Sequence, residues 1–155
     1  MGMVQTTLAW RGGLNFRAST PRGDVSLGPT RDAAEATFGP KELVAMGLGG
    51  CTGMDVASIL EKMRAVPERF EVSVVAESAE PHPQAMMRFS VRYLIDGPVT
   101  AEQARRAVAL SLERYCGVSA TLSAGAAIEP EIVLNGERLA VVPLAATAAA
   151  GGMRR

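Results

Sequence analysis

The sequence predicts an α+β domain: a mostly antiparallel sheet with its helices on one side, built around a long buried central helix. Three observations carry this. Short runs with two-residue alternation appear on both sides of one long apolar segment, from Pro40 to Arg64. That segment repeats its apolar residues at threes and fours instead. Turn residues such as Gly12-Gly13, Pro21-Arg22-Gly23 and Asn135-Gly136 punctuate the alternating runs closely enough for hairpins. The expected order is βββ-α-ββ-α-β.

Val4 to Trp10 mixes β-branched and apolar residues and reads as a first strand, Leu14 to Ala18 as a second and Asp24 to Leu27 as a third. A three-stranded meander has two open edges and little core of its own, so it must dock on something. A loop through Gly28, Pro29 and Gly39 leads to the central helix. Pro40 suits its first position, where the missing N–H costs nothing, and Pro67 stops it. Leu43, Met46, Gly47, Gly50, Met54, Ala57 and Leu60 mark one face, and Val44, Leu48, Val56, Ile59 and Met63 fill most of the others. The helix is therefore expected to be buried nearly all round.

Phe70 to Ala76 and Met87 to Ile95 alternate cleanly and form a pair of strands, the second with Phe89, Val91, Tyr93 and Ile95 on one face. Thr100 with Gln103 makes a capping box for a helix over Ala101 to Tyr115, with Ala104, Ala107, Val108, Ser111 and Leu112 inward and Leu110 flanking. Cys116 and Gly117 end or break it before a short turn from Val118 to Leu122. Glu131 to Leu134 is a last strand, and Asn135-Gly136 signals a type I′ turn. Residues 1–144 read as a single domain, and the Ala-rich 145–155 as a tail without a core face.

Composition narrows the function classes. Sixteen basic and sixteen acidic residues balance, which points away from nucleic acid and anionic membranes as partners. The apolar run of the central helix is short and Gly-rich for a membrane span, and Asp55 interrupts it. The first ten residues lack a basic stretch followed by an apolar core, so a cytoplasmic location is the expectation. Two cysteines are too few for a disulfide scaffold.

Chemistry concentrates at the cysteines. Gly47, Gly49, Gly50 and Gly53 each cost a helix about 1 kcal/mol against Ala. Something must approach this backbone closely, either a packed neighbour or a substrate near Cys51. Asp55 is four residues on, on the same face, where a carboxylate raises a thiol pKa. Cys51 is also beyond the first helical turn, so a thiolate there needs a cation from another segment, most simply an arginine. Cys116 can partner Cys51 if the two helices pack. His82, the one histidine, sits between two prolines in a loop. It supports neither a Ser/His/Asp arrangement nor, with two distant cysteines, a metal cluster of recognisable spacing.

PKELVAMGLGGCTGMDVASILEKMR resembles the central helix of the OsmC/Ohr family, the osmotically inducible and organic-hydroperoxide-resistance proteins. RRAVALSLERYCGVSATL is similar to that family's second cysteine segment, EPHPQAMMRFSVRYLIDG to its strand pair and WRGGLNF to its N-terminal meander. The resemblance spans residues 4 to 134. It implies an intertwined homodimer and a thiol peroxidase acting in oxidative stress defence. In that reading Cys51 attacks the peroxide and becomes a sulfenic acid, and Cys116 resolves it as a disulfide. Arg11, or alternatively Arg17, holds the Cys51 thiolate, and Glu42 holds the arginine. Met46, Leu48, Gly50 and Met54 wall an apolar pocket for an organic hydroperoxide. No metal, flavin or other cofactor is implied; the reductant is an external dithiol, lipoyl groups included.

The chain departs from the family's peroxidase branches in one respect: the residue after Pro40 is Lys41, and the acid, Glu42, comes one later. On a straight helix Glu42 and Cys51 also lie about 900° of rotation and ~13 Å apart, on opposite faces. A site shared across a dimer would reconcile them. The alternative reading is a dimeric binding protein for a small apolar ligand, with Cys51 inert, and a third is an oxidant sensor that does not turn over.

Overall fold

The computed structural model describes residues 2–29 and 37–141. The tail over 145–155 and most of the loop before the central helix lie outside the described residues. The chain divides into two compact units, residues 1–44 and 45–155.

The first unit is a four-stranded sheet in the order β1-β2-β3-β4. β1 (Thr7–Trp10), β2 (Phe16–Thr20) and β3 (Gly23–Leu27) form the expected antiparallel meander, with Trp10 opposite Phe16 and Ala18 opposite Val25. A short β4 (Thr37–Phe38), absent from the sequence reading, runs parallel to β3. Ala18 is the one buried residue among those described here, while Trp10 is 66% exposed and Leu14 74%. The meander thus has an apolar face without a cover of its own.

The second unit carries the core. Its sheet has the order β5-β6-β7-β8, from β5 (Arg69–Ser78), β6 (Met86–Asp96), β7 (Ala127–Leu134) and β8 (Glu137–Leu139). Phe89, Val91, Tyr93 and Ile95 are sealed on one face of β6, as the alternation requires. β6 and β7 pair in parallel, with Tyr93 opposite Ile132. A parallel neighbour needs a long crossover, and the helical segment between them supplies it. The last strand is therefore twice the expected length and has a hairpin partner, β8, across Asn135-Gly136, both in left-handed backbone.

Thr100 caps α2 (Ala101–Leu110) as expected: its hydroxyl accepts from the Gln103 amide at 3.2 Å, and the Gln103 side chain accepts from the Thr100 amide at 3.0 Å. The helix does not continue unchanged to Tyr115. Ser111–Tyr115 forms a π turn, after which α3 (Gly117–Leu122) replaces the expected turn.

α1 runs unbroken from Pro40 to Lys62. At 23 residues it is long and apolar enough to cross a membrane by length and composition, contrary to the shorter apolar run expected from sequence. In this chain its Leu48–Val56–Leu60 stripe joins the core with the β6 face and α2. Burial all round is not what the single chain shows. Only Leu48, Thr52, Val56 and Leu60 are buried, while Met46 and Met54 are 52% and 76% exposed.

The helix glycines divide accordingly. A Cβ on Gly49 would lie 3.1 Å from Val74 and one on Gly53 3.3 Å from Val72, so these two let α1 settle on β5. A Cβ on Gly47 or Gly50 would meet nothing within 4 Å. Packing explains one pair and leaves the other facing open space.

Candidate active site

Cys51, in the middle of α1, is half-buried; Cys116, at the end of the π turn, is 2% exposed, and both are free thiols. The two sulfurs and a carboxylate oxygen of Asp55 all lie within 4.8 Å of one another. Sixty-five residues of sequence separate the cysteines, and α1 packing against the α2–α3 segment closes that gap.

The π turn sets where Cys116 falls. Its amide donates to the Ser111 carbonyl at 2.8 Å, five residues back instead of four. Cys116 then leaves helical geometry and caps α3, its sulfur accepting from the Ser119 amide at 3.2 Å. Burial pushes the Cys116 thiol up to about 11, the hydrogen bond with Cys51 adds to the rise, and the Ser119 amide opposes it.

A chain of hydroxyls leads into the same place. Tyr93 OH and Thr52 Oγ1 are 2.7 Å apart, Thr52 Oγ1 and Ser111 Oγ 2.9 Å, and Ser111 Oγ donates to Asp55 Oδ2 at 3.0 Å. An ionised carboxylate only accepts, so Ser111 must donate to it, Thr52 to Ser111 and Tyr93 to Thr52. Tyr93, Thr52 and Ser111 are fully buried. Burial raises the Tyr93 pKa well above its ordinary value, which keeps the phenol protonated at the head of this chain.

Sequence reasoning missed these hydroxyls, although a signal was present. Thr52 interrupts the Leu48–Val56–Leu60 stripe, Ser111 lies on the inward face of α2, and Tyr93 sits on an apolar strand face. A hydroxyl on a buried face needs a partner. The cluster also revises the expectation that no metal-ligand types converge. Cys51, Asp55 and Cys116 do, as three donors, one short of the four that close a structural zinc site.

The remaining expected site residues sit farther out along the chain. Arg11 is exposed in the turn after β1, its amide donating to the Asn15 carbonyl at 2.9 Å. Arg17, on β2, donates to Ser26 Oγ at 3.1 Å and pairs with Asp24 at 3.3 Å. A hydrogen bond from Ser19, together with that pairing, lowers the Asp24 pKa. Glu42 is exposed at the start of α1 and accepts the Gly39 amide at 2.7 Å, the acidic half of a capping box. Since α1 is continuous, Glu42 and Cys51 of one chain do point to opposite sides of it. Of the four expected pocket residues, Met46, Gly50 and Met54 are exposed or half-exposed, but Leu48 is fully buried in the core and is no wall of that face.

Comparison with known proteins agrees with this picture. The profile of the OsmC-like proteins matches residues 33–131. Protein YhfA of Escherichia coli K12 is 34% identical over 122 residues, which cover 77% of this chain and 89% of YhfA. The crystal structure of a hypothetical protein from Aquifex aeolicus VF5 superposes with a TM-score of 0.75 at 26% identity, over 86% of this chain and 98% of that one. An organic hydroperoxide resistance protein OsmC from Legionella pneumophila shares the fold, with a TM-score of 0.65 at 16% identity over 85% and 98% of the two chains. Profile, identity and fold together make this chain a member of the OsmC-like protein family.

Proposed function

We propose that this protein is a cysteine-based hydroperoxide reductase that works as a homodimer. The observation that carries the reading is the approach of two free sulfurs, distant in sequence, to within 4.8 Å. Cys51, the more accessible, attacks the distal peroxide oxygen. The O–O bond breaks, the alcohol leaves, and Cys51 becomes a sulfenic acid. Cys116 then attacks the Cys51 sulfur and expels water, and an external dithiol, such as a lipoyl group, restores both thiols. Arg11 is the preferred cation for the Cys51 thiolate, Arg17 the alternative, with Glu42 holding the arginine.

The uncovered face of α1 around Met46, Gly50 and Met54 favours an apolar, organic peroxide. That same face and the bare meander around Trp10 are the surfaces a second copy would cover. Free thiols and an external dithiol fit a reducing compartment such as the cytoplasm. The name borne by the Legionella protein and the shared fold support the same assignment.

A second reading has an observation of its own: the Asp55 carboxylate stands beside the thiols and the Cys116 pKa is raised, as in a dimeric binding protein whose cysteines are inert. Intact mass under non-reducing conditions after one equivalent of cumene hydroperoxide separates the two. Loss of two hydrogens per chain, abolished by Cys51→Ser, is the expected result. An unchanged mass with both thiols retained would leave the binding protein.

A further inference from the structure

We propose that Asp55 is the proton acceptor of the resolving step. As Cys116 Sγ attacks the sulfur of the Cys51 sulfenic acid, the Asp55 carboxylate takes the Cys116 thiol proton, directly or through one water. It returns that proton to the departing hydroxide, which leaves as water. One S–S bond forms, one S–O bond breaks, and Asp55 ends as it began. The inference rests on the peroxidase reading, and it assigns a role to the residue that otherwise counts against that reading.

Three observations carry it. Asp55 lies one helical turn from Cys51 on the same face of α1, so its oxygen approaches both sulfurs. Its orientation is fixed from behind by the Ser111 hydroxyl, which is held in turn by Thr52 and Tyr93. The third is need. With a pKa of about 11, Cys116 exists as thiolate in roughly one molecule in ten thousand at neutral pH, and only the thiolate attacks. A base close to the sulfur removes that bottleneck, whereas the Ser119 amide can steady the developing charge but cannot take a proton. The titratable groups that face Asp55 within this unit are Cys51, Cys116 and Tyr93.

The experiment isolates the attack of Cys116 from peroxide chemistry. The half-exposed Cys51 is converted to its mixed disulfide with thionitrobenzoate, and release of that chromophore reports ring closure by Cys116. Asp55→Asn is expected to slow release by about a hundredfold near neutral pH. The deficit should shrink as pH climbs toward the titration of Cys116 itself, and Asp55→Glu should recover part of the rate. Ser111→Ala, which frees the carboxylate without removing it, should give an intermediate loss. Equal rates and equal pH profiles in wild type and Asp55→Asn would overturn the proposal, as would a uniform loss at every pH. A parallel trap of the Cys51 sulfenic acid with dimedone after peroxide reports the underlying reading separately. Failure to sulfenylate removes the peroxidase and leaves the ring-closure result to decide for or against Asp55.

Discussion

Ser111 binds Cys116 through its backbone and Asp55 through its side chain: its carbonyl accepts the Cys116 amide at 2.8 Å, and its hydroxyl donates to Asp55 Oδ2 at 3.0 Å. One residue thus positions both the buried thiol and the carboxylate beside it, and it belongs to the first turn of the π segment.

The burial of Cys116 has a consequence for stability. A thiol whose pKa is higher in the folded chain holds its proton longer there than in the unfolded chain. Its contribution is constant at low pH and is lost as pH rises from the ordinary value of 9.0 toward about 11. The reduced protein should therefore lose thermal stability across that window, and Cys116→Ser should show a shallower fall in the same melts. A slope identical in both would mean that the thiol does not titrate differently on folding.

The four glycines of α1 should separate by substitution. Gly49→Ala and Gly53→Ala press a methyl against Val74 and Val72 and are expected to destabilise by about 1–3 kcal/mol. Gly47→Ala and Gly50→Ala meet nothing in the chain, so helix propensity alone would stabilise them by about 1 kcal/mol. If a second copy covers that face, the latter pair will instead weaken association. Chemical denaturation alongside sedimentation velocity distinguishes a gain in stability from a loss of dimer.

Glu42 performs one task that is visible within its own turn. Glu42→Ala should cost about 0.5–2 kcal/mol by leaving the Gly39 amide without its acceptor, and Glu42→Gln should restore most of it. Peroxide turnover measured on the same pair tells capping from catalysis. A Gln variant that is stable yet slow would assign the carboxylate charge to the chemistry.

Much of the fold was legible because alternation reports a half-buried strand directly. Phe89, Val91, Tyr93 and Ile95 are sealed on the face their spacing names, and Thr100 with Gln103 makes both bonds of its box. The parallel pairing of β6 with β7 was not legible, since period-two patterns are the same for either direction and the crossover decides. The all-round burial expected of α1 failed because an apolar sequence specifies that a face is covered, but not by which chain. The convergence of Cys51 and Cys116 rested on family resemblance alone, and spacing could not have supplied it. Asp55 was read through its effect on Cys51, although the buried Ser111 that orients it lies 56 residues away.

The π turn makes the redox pairing a matter of chain length as well as of composition. Removing one residue between Ser111 and Tyr115 would return the segment to four-residue hydrogen bonding and swing Cys116 and α3 by about 100°. Both cysteines would survive such a deletion while their sulfurs parted. A relative could thus retire this couple, or recover it, by a single-codon insertion or deletion that no inspection of its cysteines would disclose.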